Sequence, residues 1–440
     1  MQKLSLLTLV LLLTQITQAQ QSLNLEDCIQ YAFKNSPEIR TAQLQISDAD
    51  WQIKENTAIG LPQLSAGITY TGFIQRGGIP ASALGFPGDE KLVFSPVHNL
   101  AGEVKLSQLI FNNSYIIGLR AARYYRQYVE NQLTAEKYTL RNKVIDAYLP
   151  ALLISENLTT LDKNIGNLEK LFSDTKEINK AGFAEQLDVD RLELSLASLR
   201  SERDNLARQQ EIVVNALKFT MGMPVSEEIT LSDNVETLMG QYADADLTSE
   251  LNPMNRPEYM AMLKGRELSA IQVELYKKPW MPTVAGFAQW SPGYQAGFGN
   301  SDNPEFNTWF YIPSTVAGVS ISIPIYDGGT TKAKRQRAMI SLQTVDIQKQ
   351  MLENAFSLEL DAARKQFQNA TERVNNQQKN LDLAQRIYDT TQTKYKAGVG
   401  SSFEITQAEQ GLYSAQQALM TARYDLLTAR IAIKKALGQQ

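Results

Sequence analysis

The chain has 440 residues, with 43 Lys or Arg against 47 Asp or Glu, so its net charge near pH 7 is −4. This mild acidity argues against a nucleic-acid partner. With one cysteine and one histidine, an intrachain disulfide is excluded and a cage of Cys or His ligands is not expected. We therefore predict no metal and no cofactor.

The first residues are typical of an export signal. Lys3 provides a positive charge, residues 4–13 form an apolar core, and residues 17–19 form a small-residue cleavage site. The core is shorter than the roughly 20 residues that a membrane-spanning helix needs. We therefore predict a signal peptide over residues 1–19, with a retained N-terminal anchor as the less favoured alternative.

The first half of the remaining chain, residues 20–250, is predicted to hold a helix, two strands, a long helical hairpin and a connector. These elements are expected at residues 23–58, about 64–76, about 99–109, 115–220 and 223–250. The strands are predicted because apolar Leu64, Ala66 and Ile68 alternate with polar or small residues. The hairpin reverses near Gly182, and Pro150 is expected to bend its first helix because it lacks an amide hydrogen.

The second half, residues 251–440, repeats this plan. Its helix is expected at residues 256–277, its strands at about 284–292 and 314–325, and its helical hairpin at 331–437. The first helix of this hairpin, ending near residue 396, would be roughly 100 Å long at 1.5 Å per residue. An ordinary globular domain has no use for a helix of that length.

Short motifs recur at a spacing above 200 residues. Residues 35–39 reappear as 255–259, residues 61–64 as 281–284, and the Lys-Ala-Gly turn at 180–182 as 396–398. Such a period is far longer than the roughly 20–50 residues of a solenoid unit. We interpret the pattern as duplication of a whole subdomain.

The last predicted helix carries a heptad pattern. Leu412, Leu419, Leu426 and Ile433 are spaced by seven residues, and a row of alanines accompanies them. This pattern indicates close, supercoiled helix packing. Taken alone, the helix favours a two- or three-stranded coiled coil. The alternative function, a soluble periplasmic coiled-coil adaptor or scaffold, explains the signal peptide and the long helices but not the duplicated strand pairs.

The number of predicted strands restricts how the chain can assemble. Four amphipathic strands of about 9–11 residues can cross an outer membrane, but a closed barrel needs about eight. Because open sheet edges are not tolerated in lipid, the strands form either a soluble sheet or a barrel shared between copies. The polar face favours the shared barrel, and its predicted lumen residues are Glu103, Lys105, Ser320 and Ser322.

Aromatic residues are expected near the strand ends, where membrane interfaces attract them. These residues are Tyr70, Trp280, Trp290, Trp309 and Tyr311. Packing of the rings on loops is the alternative.

Together these features resemble the TolC-like outer-membrane efflux proteins over nearly the whole chain after the signal. The matching motifs are Pro-Glu at 37–38 and 257–258, Pro62 and Pro282 before the strands, residues 323–329 after the last strand, and residues 395–398 and 436–438. The resemblance implies a mixed α/β membrane protein that forms a homotrimer, with a twelve-stranded outer-membrane barrel continued by a periplasmic helical barrel. It also implies a passive conduit that serves a periplasmic adaptor and an inner-membrane transporter such as an RND-type pump.

The resemblance further implies a gate at the periplasmic mouth. Glu404 matches the first of two acidic positions that ring the aperture, whereas the second position is Gln407 here. Tyr395 and Asp188 match positions whose hydrogen bonding helps to hold the mouth shut. The expected tip and adaptor-docking residues are Gly182, Phe183, Gly398, Val399 and Gly400, the last standing where the family can use a basic residue.

No catalytic constellation is apparent in the sequence. The single histidine, His98, lies in a predicted loop, so a Ser-His-Asp triad would have to include it, and a surface histidine of the loop is the favoured interpretation. No glycine-rich phosphate loop follows a strand and opens a helix. We therefore predict that the protein is not an enzyme.

Overall fold

The computed structural model describes residues 21–88, 90–244, 248–297 and 308–439. The predicted signal peptide over residues 1–19 lies outside this range. The helices are α1 (Leu25–Asn35), α2 (Pro37–Ala58), α3 (Asn113–Lys180), α4 (Gln186–Met221), α5 (Val235–Gln241), α6 (Pro257–Leu275), α7 (Thr330–Lys396) and α8 (Ser402–Leu437). The strands are β1 (Gln21–Leu23), β2 (Gln63–Gly72), β3 (Ile79–Pro80), β4 (Lys91–Leu92), β5 (His98–Phe111), β6 (Ile229–Leu231), β7 (Thr283–Ala296) and β8 (Phe310–Ser322).

The chain divides into two compact units. A helical unit contains Met1–Gln45, Val129–Leu263 and Ile347–Gln440, and a sheet unit contains Ile46–Tyr128 and Lys264–Asp346. The predicted mixture of strands and very long helices is confirmed, since α3 has 68 residues and α7 has 67. Pro150 lies inside α3 without ending it.

The sheet unit is built around four antiparallel strands in the order β2-β5-β7-β8. The outer strands β2 and β8 each pair on one side only, so the described sheet is open at both edges. β2 ends at Gly72, short of the expected residue 76, and β8 runs over 310–322 rather than 314–325. The ladder of β8 stops before Pro324, a residue that cannot donate to it.

β7 continues to Ala296, past the expected end at residue 292, because the strand accommodates Pro292 instead of ending there. Pro292 stands opposite Pro313 in the β7–β8 pair, so two residues that lack amide hydrogens face each other. On the other side, a Cβ added to Gly102 would lie 3.0 Å from the Pro292 ring. Glycine at position 102 therefore provides the space that lets a proline sit in a central strand.

The helical unit has its own hydrophobic core. The largest cluster joins β1, α1, α2, α3, α4, α5 and α8 around fully buried Ile29, Tyr148 and Leu427. Helix α1 starts with a reciprocal cap, in which Asp27 N donates to Asn24 Oδ1 at 2.8 Å and Asn24 N donates to Asp27 Oδ2 at 3.2 Å.

Two glycines show why the repeated motifs pair with one another. Gly222 and Gly438 follow the second helix of each helical hairpin with φ of 73° and 70°, a conformation that favours glycine. A Cβ on Gly222 would lie 3.0 Å from Asn35 O, and one on Gly438 would lie 2.6 Å from Asn255 O. Each half therefore packs its terminal glycine against its own Asn-x-Pro-Glu motif, which supports the predicted duplication.

Among the described residues, no helix is both long enough and apolar enough to cross a membrane.

Candidate functional site: an amphipathic sheet and two hairpin tips

The register of the sheet defines its two faces. Residues that stand opposite one another in antiparallel strands share a face, and Lys105 pairs with Gln289, which pairs with Val316. Glu103 lies two residues before Lys105, whereas Ser320 and Ser322 lie four and six residues after Val316. All four predicted lumen residues therefore lie on one face of the sheet.

The opposite face is apolar and exposed in the single chain. Its side chains include Leu64, Ile68, Leu106, Trp290, Val319 and Ile321. Ile68 is 82% exposed and Val319 is 63% exposed. Large apolar patches of this kind mark contacts with membranes or other proteins.

Aromatic rings gather at the end of the sheet away from α3 and α7. Tyr294 and Tyr311 face each other across β7 and β8 with ring centroids 5.0 Å apart. His98 lies between Tyr70 and Trp309, and the Tyr70 hydroxyl is 2.9 Å from His98 Nδ1. The expectation for Trp290 is wrong, because β7 extends past it and places it in mid-strand.

The first hairpin reverses between α3 and α4, and the second between α7 and α8. Gly182 and Gly398 have φ of 81° and 73°, so each of the predicted turns contains a glycine in the left-handed conformation. Phe183 N donates to Ile178 O at 3.1 Å, and Val399 N donates to Lys394 O at 3.1 Å. The two turns therefore close with the same helix-ending hydrogen bond.

The tips carry exposed apolar side chains. Phe183 and Val399 extend into solvent, with 86% and 78% of their surface accessible. Gly400 closes the second turn, and a Cβ there would lie 3.1 Å from Tyr395 N. This crowding gives a local reason for a glycine at the position where the resemblance allows a basic residue.

Tyr395 and Asp188 do not bond to each other. The Tyr395 hydroxyl is 2.9 Å from the hydroxyl of Thr175, and Ser402 Oγ donates to the Asp188 carboxylate. Each hydrogen bond joins the first hairpin to the second within one chain. Tyr395 and Asp188 therefore each take part in a separate hydrogen bond between the hairpins.

The sequence alone did not identify Thr175 and Ser402. Both side chains are fully buried at the contact between the hairpins. A hydroxyl residue in a long helix has no distinctive periodicity, so no sequence signal marks Thr175. Ser402 follows Ser401, whose Oγ accepts from Glu404 N at 3.3 Å and caps α8.

Below these hydrogen bonds, an apolar layer joins the two hairpins. Leu168 and Leu171 of α3, Leu192 and Leu196 of α4, and Ile405 of α8 belong to one buried cluster. Deeper still, Asn164 Nδ2 donates to Gln416 Oε1 at 3.0 Å. The tips are therefore bound to each other by a continuous packed interface in addition to the two bonds.

The predicted aperture residues Glu404 and Gln407 are both exposed on α8. Glu404 lies in the first turn of the helix, where a negative charge interacts favourably with the helix dipole. The hydrogen-bond partners of Asp188 and Tyr395 are Ser402 and Thr175, not these two residues.

Glu409, one turn further along α8, is buried. Burial in this apolar layer raises the pKa of its carboxyl to about 7. Its negative charge in turn raises the pKa of Tyr388 on α7, after the larger effect of burial of that phenol. Sequence reasoning missed Glu409 because a single acid in a heptad helix is usually exposed.

Among residues 21–88, 90–244, 248–297 and 308–439, no group of three or more Cys, His, Asp or Glu side chains could hold a metal ion.

Comparison with known families gives a match over two segments. Residues 28–223 and 254–439 match the family described as outer membrane efflux protein. The pyoverdine export outer membrane protein OpmQ of Pseudomonas aeruginosa is 24% identical over 421 residues, covering 94% of this chain and 85% of that protein. The outer membrane protein TolC of Escherichia coli is 22% identical over 448 residues, covering 100% and 87%.

Solved structures give the same result for the fold. The outer membrane protein VceC of Vibrio cholerae superimposes with a TM-score of 0.69 at 19% identity, covering 94% of this chain and 96% of that one. The open state of the MtrE outer membrane channel of Neisseria gonorrhoeae has a TM-score of 0.68 at 16% identity, covering 94% and 89%.

Proposed function

Because this chain belongs to the outer membrane efflux protein family, we propose that three copies pool their four-stranded sheets into one twelve-stranded barrel. The protein is an outer-membrane channel of an efflux or secretion system, located in the outer membrane of a Gram-negative bacterium with a periplasmic helical extension. The alternative of a soluble periplasmic adaptor is wrong.

The main support for the trimer is that the sheet of a single chain is incomplete. Both edge strands are open, and an apolar face is exposed on the side opposite Glu103 and Lys105. Unpaired amide and carbonyl groups are too costly in lipid to remain at an edge. Pairing β8 of one copy with β2 of the next removes every edge, and it turns the apolar face to lipid and the polar face to a lumen.

The lengths of the strands support a membrane crossing. β7 has 14 residues and β8 has 13, which exceeds the 9–11 residues that cross the hydrocarbon layer at a tilt near 45°. The cluster of Tyr70, Tyr294 and Tyr311 fits the aromatic belt at one interface. Outer-membrane lipid is therefore a partner of this face.

The polypeptide acts as a passive conduit without enzymatic activity. Its substrates would come from an inner-membrane transporter, such as an RND-type pump, through a periplasmic adaptor. The adaptor would dock on the hairpin tips, where Phe183 and Val399 are exposed beside Gly182, Gly398 and Gly400. Exposed aromatic and aliphatic groups at a helix end are suitable anchors for a second protein.

The aperture would open when the two hairpins of each chain separate. The bonds Tyr395–Thr175 and Ser402–Asp188 oppose that separation. Three copies of Glu404 would surround the mouth and attract cations, and Gln407 makes the ring less charged than a double acidic ring.

Conductance of purified trimers in planar bilayers tests both the trimeric channel and the closure of its aperture by the two hydrogen bonds. We expect small conductance for the wild type and a several-fold increase for Thr175→Val with Ser402→Ala, which removes a hydroxyl from each bond. Thr159→Val with Ser198→Ala is the matched control, because these hydroxyls bond only within their own helices. Unchanged conductance in the first variant would show that these two hydrogen bonds do not hold the aperture closed. Wild-type chains that neither trimerise nor conduct would refute the proposal that the protein is a trimeric channel.

A further inference from the structure

A basic cleft lies at the end of the sheet from which the long helices leave. It has a volume of about 620 Å³ and is lined by the ends of β7 and β8 and by the first residues of α3 and α7. Lys278, Lys332 and Lys334 line it together with Asn113 and Ser114. Three lysines and several polar residues therefore line a single space.

The positive charge of this cleft is not neutralised within the described part of the chain. Asp327 is the one acidic residue of its lining, and its carboxylate accepts from Gly329 N at 3.0 Å and Thr331 N at 2.7 Å. No Asp or Glu occurs from residue 328 to 345, whereas Lys277, Arg335 and Arg337 add further exposed cations. An anionic ligand would therefore meet uncompensated charge.

The lining of the cleft also contains large apolar and aromatic side chains. Trp280, Ile325 and Tyr326 contribute to it and are strongly exposed in the chain. Tryptophan and tyrosine favour the boundary between headgroups and acyl chains. A ligand that combines an anionic head with an apolar tail matches both parts of the surface.

We propose that this cleft binds the phosphodiester headgroup of an anionic glycerophospholipid from the periplasmic leaflet of the outer membrane. The lysines hold the phosphate, while the acyl chains lie beside Trp280 and along the apolar face of the sheet. Basic pockets at the ends of membrane-spanning elements recognise lipid headgroups in this way. The inference rests on the proposed function, since it requires the sheet to cross the membrane.

The test is native mass spectrometry of intact detergent-released trimers titrated with palmitoyl-oleoyl phosphatidylglycerol or phosphatidylcholine. We expect phosphatidylglycerol to bind at least tenfold more tightly than phosphatidylcholine, with about tenfold weaker binding in the variant Lys278→Gln, Lys332→Gln and Lys334→Gln. A variant with Arg at the same three positions retains binding. Lys163→Gln, Lys170→Gln and Lys379→Gln are the control, because these exposed lysines lie in the helical unit.

Equal binding of the two lipids, or equal loss in the control variant, overturns the headgroup site. Displacement of bound phosphatidylglycerol by equimolar glycerol 3-phosphate also overturns it, because the ligand is then a soluble phosphate. If the triple Gln variant does not assemble, Lys332→Gln alone is expected to weaken binding severalfold, and no change there is contrary to the proposal. Conducting wild-type trimers without lipid preference refute the site alone, whereas lipid-binding chains that do not conduct refute the channel alone.

Discussion

The sheet unit and the helical unit differ in how they bury their large apolar side chains. In the helical unit, Leu161 and Leu192 are completely buried among the side chains of the same chain. In the sheet unit, Ile68 and Val319 are mostly exposed on a face that no described segment covers. The helical unit therefore carries its own core, whereas the sheet depends on an apolar environment that the single chain does not provide.

The largest expected effect tests the lipid-facing side of the sheet. Ala288 and Gln289 are neighbours in the middle of β7 and lie on opposite faces. Ala288→Lys places a charge in lipid and should cost roughly 2–4 kcal/mol per chain, counted three times in a trimer. We expect the yield of SDS-resistant trimers in outer-membrane fractions to collapse.

Gln289→Lys is the matched control, because its side chain lies on the lumen face beside Lys105. Near-normal yield is expected for this variant. Equal yields for the two substitutions would mean that neither face of the sheet is in contact with lipid. The conclusion that the sheet depends on an apolar environment outside the chain would then be wrong.

A second prediction tests the core of the helical unit. Leu192→Ala removes a fully buried side chain from the layer between the hairpins and should destabilise the protein by roughly 2–5 kcal/mol. Leu194→Ala, two residues away on the exposed side of α4, should change stability by less than about 0.5 kcal/mol. Protease resistance of the tips, measured against temperature, distinguishes the two. Similar losses would contradict the packing described here.

A third prediction concerns pH. The pKa of Glu409 is raised from 4.5 to about 7 by burial, so the proton stabilises the packed tip. This stabilisation, at most about 3 kcal/mol, is fully present below pH 4.5 and is lost as the pH rises through 7. Hydrogen exchange of α8 amides near Glu409, corrected for intrinsic rates, should therefore accelerate between pH 6 and pH 8.

Glu409→Gln should remove that pH dependence, since the amide does not ionise. Glu404→Gln, one turn before it and exposed, should leave the dependence intact. A wild-type profile that is flat from pH 6 to pH 8 would show that Glu409 is not buried as a neutral acid.

The smallest expected effect is at the mouth. Glu404→Gln should reduce cation selectivity by about twofold or less, because an exposed charge is screened by salt. Gln407→Glu should increase selectivity by a similar factor, since it restores a second acidic position. Reversal potentials of bilayer-inserted trimers in a KCl gradient measure both. Unchanged reversal potentials in both variants would place these residues away from the conduction path.

Sequence periodicity was sufficient to predict most of the fold. The alternation at Leu64, Ala66 and Ile68 gave the faces of the sheet, and the heptads of Leu412 and Leu419 gave the buried side of α8. Both patterns depend only on the repeat of a strand or a helix. Such patterns can therefore be recognised in the sequence without knowledge of the tertiary contacts.

Partners that are distant in sequence were not predictable in the same way. The bond between Tyr395 and Thr175 joins residues 220 positions apart, and no periodicity connects them. The resemblance drew attention to Tyr395 and Asp188 but did not identify Thr175 and Ser402 as their partners. Strand ends at prolines were also misjudged, because the space that Gly102 leaves for Pro292 exists only after the strands pair.

Cysteine crosslinking between the sheet edges tests the shared barrel most directly. Thr69→Cys on β2 would be combined in turn with Val316→Cys, Gly318→Cys or Ser320→Cys, which share its face on β8. Native Cys28 should not interfere, because burial raises the pKa of its thiol to about 12. We predict that oxidation of at least one pair in membranes gives a band of three linked chains on denaturing gels. Crosslinks confined within single chains, or no crosslink in any pair, would contradict a barrel built from three copies.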